Sequence, residues 1–255
     1  ITKAVLKMDK LIALNATISE AFLELGVPSS LIAEVPNGVD INRFRKPSDV
    51  QYTRREWNVP SDKTLLLTVG RFHEKKGYKL IPRIARALRS QGAQIHWIVV
   101  GTDTQLIDEM IKQEEVVELV KTYSAIGFSD VTPAKSVFEV PNETLVRLYQ
   151  AADIFVFPTL LEGFPRVLIE AMSAGLPVVT TDAPGCRELM VHKQNGMVGP
   201  AGEVEPMVSN IAELLRDVGL RNLIVGNGLS LAQEYDWQHI LDKYESVYSS
   251  LIDTK

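Results

Sequence analysis

The sequence predicts an α/β protein, a Rossmann-like parallel sheet flanked by helices. Two observations carry this. Short apolar, β-branched runs alternate with longer segments of helical period, and glycine turns recur between runs and helices. Runs of this kind suit strands covered on both faces. In chain order the predicted strands are 11–14, 31–35, 64–69, 95–100, 152–157 and 177–180. Between them, 78–90 is a predicted helix with Leu80, Ile84, Ala87 and Leu88 on one side, and 105–121 another, with Leu106, Met110 and Val117 at helical spacing. A third runs from Pro165 to Ala174, ended by Gly175 and Pro177, and a fourth covers 205–217. After Tyr235-Asp236-Trp237, the residues Ile240, Leu241, Tyr244, Val247, Tyr248 and Leu251 form one apolar face of a terminal helix.

Composition narrows the function classes. With 45% hydrophobic and 23% charged residues the 255-residue chain can bury a core, which excludes disordered and fibrous classes. The balance of 27 Lys+Arg against 32 Asp+Glu gives a net charge of −5, so general affinity for nucleic acid or acidic lipid is not expected. The single cysteine, Cys186, and the lack of zinc-spaced Cys/His groups point to a reducing compartment, read here as the cytoplasm. The longest mostly apolar run, 154–161, falls short of the roughly 18 residues needed to span a bilayer, so no membrane insertion is expected. The chain opens Ile1-Thr2-Lys3, which reads as a fragment of a longer protein.

The strongest chemical signal is a pair of carboxylates eight residues apart. Glu162 lies in a glycine turn after a predicted strand, and Glu170 within the helix that follows. Pro165 suits the first helical position, leaving the backbone amides of residues 163–167 free for a ligand. Such a helix start holds phosphate or diphosphate, while carboxylates on either side accept hydrogen bonds from hydroxyls. Two polyols flanking a diphosphate describe a nucleotide sugar. A second signal delivers Arg71 and Lys76, after Gly70, to a loop at the carboxyl end of strand 64–69, the edge where open α/β sheets bind ligands. Arg71 can fork onto phosphate oxygens and Lys76 can add a point charge. Arg83, Arg86 and Arg89 read as a solvated helix face, and Cys186 as a small filler.

These residues resemble the retaining glycosyltransferases of the GT-B fold, particularly the large fourth family, the group 1 glycosyl transferases. The likeness rests on Thr17-Ile-Ser-Glu20, Val35-Pro-Asn-Gly-Val-Asp40 with Phe44, Val69-Gly-Arg71, Lys76-Gly77, the segment 148–158, the Glu162/Glu170 element, Gly175-Leu-Pro-Val-Val179 and Asn195-Gly196, in the family's order. The resemblance implies that Arg71 and Lys76 bind the donor diphosphate and Glu170 the ribose hydroxyls. Glu162, with the Gly163 and Phe164 amides, would hold the transferred sugar. The donor site is completed by Gly70, Pro165, Arg166 and Val167, with Phe138 and Val140 beside the base. It further implies transfer with retention and without a metal or cofactor, catalysed by cations on the leaving diphosphate. Residues 1–35 would be the remnant of an N-terminal acceptor domain and 36–60 a linker and lead-in. Residues 61–234 would form the nucleotide-sugar domain and 235–255 a helix crossing back. The acceptor, a glycan or lipid-linked sugar, would sit on the missing domain, placing the whole enzyme in the cytoplasm or at the inner membrane face.

Several positions depart from the family pattern. The loop Gly101-Thr102-Asp103 keeps one of two usual glycines, Glu139 stands where a glycine is usual, and Pro165 replaces the second glycine after Glu162. Other classes lack their signatures. No G-x-G-x-x-G follows a strand, the Gly70/Gly77 spacing is not a P-loop, and there is no G-x-S-x-G elbow. A non-catalytic nucleotide-sugar-binding subunit and a GT-B epimerase stand as alternatives.

Overall fold

The computed structural model describes residues 7–46, 48–124 and 141–252. The predicted Phe138 and Val140 lie outside the described residues.

The chain opens with a small parallel unit. Strand β1 (Leu11–Ala13) pairs with β2 (Ile32–Glu34) across helix α1 (Ala16–Glu24), and this pair is not hydrogen-bonded into the main sheet. Asn15 caps α1, its side-chain oxygen accepting from the Ile18 N–H at 3.0 Å. The chain then crosses to the main body beside its own return path. The Val39 N–H donates to the Tyr235 carbonyl at 2.9 Å and the Trp237 N–H to the Val39 carbonyl at 3.2 Å, with the Trp237 indole packed on Gly38. Two short helices follow, α2 (Ile41–Arg45) and α3 (Val50–Glu56).

The main body is a six-stranded sheet, every pairing parallel, in the order β5 (Val120–Tyr123), β4 (Ile95–Val100), β3 (Thr64–Val69), β6 (Ile154–Phe157), β7 (Val178–Thr181), β8 (Met197–Gly199). Strands β3 (Thr64–Val69) and β4 (Ile95–Val100) fall where the apolar runs predict them, and β6 (Ile154–Phe157) and β7 (Val178–Thr181) lie within a residue or two. Side chains of β4, β6 and β7 are buried on both faces, the condition under which a strand reads as a continuous apolar run. Helix α4 (Ile81–Ser90) covers one crossover, its stripe being Ile81, Ile84, Ala85 and Leu88. Helices α6 (Glu143–Ala151), α7 (Arg166–Ser173), α8 (Val204–Arg216) and α9 (Val218–Gln233) complete the layers. The sheet grows from β3 towards β5 in one direction and from β6 towards β8 in the other. The order therefore reverses between β3 and β6, the switch point where α/β sheets place their ligands.

One expectation is corrected. Residues 105–121 are not one helix: a 3-10 turn (Thr104–Ile107) leads into a short α5 (Asp108–Gln113), and β5 (Val120–Tyr123) follows. Ile107, Ile111, Val116, Leu119 and Val120 are buried, whereas Leu106 and Val117 are exposed. The core stripe thus lies one residue out of phase with the expected one, and Glu115, at φ +56, breaks the helix before Val117. The terminal helix, α10 (Trp237–Ile252), forms where it is predicted and buries Ile240, while Leu241 and Tyr248 of its apolar face, and Ile252, are exposed. The short strands β5 and β8 (Met197–Gly199) carry too few residues to announce themselves. No described helix is long and apolar enough to cross a membrane.

Candidate functional site

Close backbone approaches bring the loops after β3 and β6 together. Gly77, at φ +64, passes so near the Pro158 carbonyl that a Cβ would stand 1.9 Å from its oxygen. Only glycine lets the Lys76 loop seat there. The Lys75 carbonyl then accepts from the Leu160 N–H at 2.7 Å and the Leu161 N–H at 3.2 Å. Upstream, Gly70 leaves room for the Tyr78 hydroxyl, which lies 2.7 Å from where its Cβ would be. In the next loop Asp103 takes the left-handed φ of +64. Glycine adopts that region freely, so the departure from two glycines carries a backbone strain of roughly 1 kcal/mol.

This seating joins Lys76 to Glu162. The Lys76 ammonium lies 2.7 Å from Glu162 Oε1 and 2.8 Å from Oε2, and 5.3 Å from the Phe157 ring centroid. Thr159 donates to Oε1 at 2.7 Å. The Glu162 side chain is 8% exposed and that of Lys76 27%, so the carboxylate is buried and the pair is solvated on the lysine side. The Glu162 N–H donates to the Pro184 carbonyl at 2.9 Å, tying this loop to the one after β7.

Glu170 is 4% exposed rather than a solvated helix residue. Tyr149 donates to its Oε2 at 2.9 Å, and Arg166 stands one turn away, 3.6 Å from Oε1. Burial raises the carboxyl pKa, opposed by the Tyr149 hydrogen bond and by the positive charges of Arg166 and Arg43. Burial beside this anion holds the Tyr149 phenol well above its ordinary value, so it stays a donor.

The start of α7 differs from expectation by one residue. Pro165 is not the first helical residue but the N-cap, at φ −83 and ψ 79. Those angles make an inverse γ-turn, in which the Arg166 N–H donates back to the Phe164 carbonyl at 3.1 Å. The Arg166 amide is therefore spent. Among the described residues nothing accepts from the N–H groups of Gly163, Phe164 or Val167, which remain at the positive end of the helix. A Cβ on Gly163 would meet no atom within 4 Å.

Arg71 is exposed and makes no hydrogen bond or ion pair among the described residues. Phe164 turns from the loop to meet Tyr235, ring centroids 5.7 Å apart. Burial pushes the Cys186 thiol up to about 12, so it is held as the neutral thiol. A cavity of about 660 Å³ opens by Lys46, Gln150 and Gly175 at the far end of α7, and none of the predicted site residues lines it. A smaller one of about 270 Å³ lies between the β1–α1 unit and the site loops, bordered by Asn15, Glu34, Phe164, Glu188 and Lys243. There the Asn15 amide donates to the Gly163 carbonyl at 2.6 Å, and Thr17 hydrogen-bonds Glu188. Sequence reasoning missed Asn15, Tyr149 and Thr159. Each acts through a contact between residues distant in sequence or within a turn, which no periodicity reveals.

Residues 49–229 match the family model described as glycosyl transferases group 1, well over half of the chain. The chain belongs to that family. Among relatives of this group 1 chain, an uncharacterized glycosyltransferase of Methanocaldococcus jannaschii is 29% identical over 197 residues, covering 76% of this chain and 47% of that protein. The putative colanic acid biosynthesis glycosyltransferase WcaL of Salmonella typhimurium is 25% identical over 240 residues, 89% of this chain and 53% of WcaL. The chain thus spans about half the length of the curated relatives it matches. Anabaena HepE, solved in complex with UDP and glucose, superposes with a TM-score of 0.79 at 22% identity, covering 99% of this chain and 66% of that one. A likeness at that identity shows the fold alone.

Proposed function

We propose that this chain is the donor-binding part of a retaining glycosyltransferase, which moves a sugar from a nucleotide sugar to an acceptor without a metal or organic cofactor. One observation carries the reading. The Lys76–Glu162 pair, exposed Arg71 and the unpaired amides of Gly163, Phe164 and Val167 converge on one carboxyl edge at the sheet's switch point. Cations and helix-start amides match a diphosphate, and the carboxylates beside them match hydroxyls on either side of it. The Anabaena neighbour binds UDP and glucose, which is consistent with this ligand class.

In the proposed reaction the glycosidic bond to the diphosphate breaks heterolytically, its electron pair leaving with phosphate oxygen. Arg71, Lys76 and the α7 amides stabilise that developing charge, already oriented before reaction. Glu162 holds the sugar that becomes cationic, Glu170 the ribose, and the departing phosphate takes the acceptor proton. Arg166 neutralises Glu170 until a ribose displaces it. The acceptor is a glycan or lipid-linked sugar on the other half of the enzyme, which works in the cytoplasm or at the inner face of the membrane. Incubating full-length protein with a nucleotide sugar and candidate acceptors, and reading the anomeric configuration of the product by NMR, tests this. An inverted product contradicts retention. Tight binding of nucleotide sugars with no release of nucleoside diphosphate by any acceptor supports the alternative, a non-catalytic binding subunit.

A further inference from the structure

We propose that Thr159 is a positioning residue that divides the work of the two Glu162 oxygens, fixing Oε1 and leaving Oε2 as the oxygen that accepts from a sugar hydroxyl. The inference rests on the proposed function and deepens it by naming the atom that meets the sugar.

Thr159 is fully buried, just beyond the carboxyl end of β6. Three acceptors surround its hydroxyl: Glu162 Oε1 at 2.7 Å, the Lys75 carbonyl at 3.0 Å and the Leu161 carbonyl at 3.5 Å. One hydrogen must choose. The Lys75 carbonyl already accepts from two backbone N–H groups, and the Leu161 carbonyl lies at the limit of hydrogen-bonding distance. The shortest contact is also the only charged one, so the hydrogen goes to the carboxylate. Thr159 itself cannot drift. Its carbonyl accepts from the Thr181 hydroxyl at the end of β7, and Gly77 packs on the neighbouring Pro158 carbonyl.

The two oxygens of Glu162 are therefore unequal. Oε1 takes both Lys76 and Thr159, whereas among the described residues Oε2 takes Lys76 alone. Free lone pairs on Oε2 leave it as the acceptor for a ligand hydroxyl. Without the threonine hydrogen, the carboxylate is held by the flexible lysine only and can rotate about its last bond. Positioning of this kind affects the sugar rather than the nucleotide, because the diphosphate and ribose contacts lie on other residues.

The test compares Thr159→Val, which keeps the shape and removes the hydroxyl, with Thr159→Ser, which restores it. Calorimetry with UDP, GDP and ADP and with their sugar conjugates gives the affinity gained from the sugar. Thr159→Val should bind the bare nucleotide as wild type does but lose roughly tenfold of the sugar's gain. Thr159→Ser should recover it. Thr68→Val removes a buried hydrogen bond to the Val156 carbonyl, which involves neither Thr159 nor Glu162, and should lower the melting temperature while leaving the sugar's gain intact. Equal loss for nucleotide and nucleotide sugar in Thr159→Val, or no rescue by serine, overturns the proposal. Should wild type bind no nucleotide sugar, the proposed function fails, and unliganded crystal structures decide the matter of Thr159. A rotated Glu162 carboxylate in Thr159→Val supports the positioning role, and a carboxylate unmoved on Lys76 overturns it.

Discussion

Glu162 and Glu170 have the same side chain but different surroundings, and their roles should separate accordingly. Glu162→Ala should spare nucleotide affinity and abolish transfer in the full-length enzyme. Glu170→Ala should weaken nucleotide binding, because it empties the place facing Arg166 and orphans the Tyr149 hydroxyl. Equal losses from both, measured by calorimetry and turnover, would contradict the division. Gly163 offers a sharper contrast with Gly77. A methyl on Gly163 meets open space, so Gly163→Ala should leave the melting temperature unchanged while weakening diphosphate binding by intruding on the approach to the amides. Gly77→Ala, driven into the Pro158 carbonyl, should lower the melting temperature sharply. An unchanged donor affinity in Gly163→Ala would show that the ligand does not approach this backbone. Arg71, Lys76, Glu162 and Glu170, the proposed donor contacts, could be singled out in the sequence because they flank recognisable turns. Thr159 and Tyr149 were not, since a threonine or tyrosine at a strand end or in a helix carries no sign of the carboxylate it meets.

At the scale of elements, α1 and α7 are joined by one side chain. Asn15 caps α1 with its oxygen and reaches the Gly163 carbonyl with its nitrogen, so the β1–α1 unit touches the turn that starts α7. Asn15→Ala should cost about 1 kcal/mol of stability through the lost cap, read as a lower midpoint in urea. Strand β4 buries His96 at 4% exposure, and burial lowers its pKa to about 4, helped by the charges of Lys121, Lys63 and Arg54. The unfolded chain binds a proton on this imidazole between about pH 4 and 6.5 that the folded chain refuses. Stability contributed here is present above pH 6.5 and lost on acidification, with a limiting slope of about 1.4 kcal/mol per pH unit. Urea titrations at stepped pH should show that slope flattened in His96→Leu; the same acid loss in the variant would assign it elsewhere. Strands β3 and β4 were legible because each is a short, mostly apolar run closed by a glycine, Gly70 or Gly101. The region after Gly101 was not, because Leu106, Met110 and Val117 mimic a helical stripe that Ile107 and Ile111 hold in fact.

Across the whole molecule, the sheet reverses between β3 and β6 and every charged donor candidate among the described residues sits at that edge, while the 660 Å³ cavity by Gln150 and Gly175 lies elsewhere. Charge and hydrogen-bond geometry, rather than hollow volume, mark the site. The alternation of strand and helix made the class legible, but the separate β1–β2 sheet and its contacts to Gly163 and Glu188 depend on residues some 150 positions apart. Because the proposed chemistry neutralises the diphosphate with side chains and amides, a chelator should leave donor affinity unchanged, and a chelator-sensitive affinity in calorimetry would assign part of that work to a metal. The most direct test of the account is calorimetric titration of this chain with UDP, GDP, ADP and their sugar conjugates, repeated in Arg71→Ala and Glu170→Ala. Selective binding to one base, weakened in both variants, is the predicted result; binding that persists undiminished in both would contradict the assignment of this edge as the donor site.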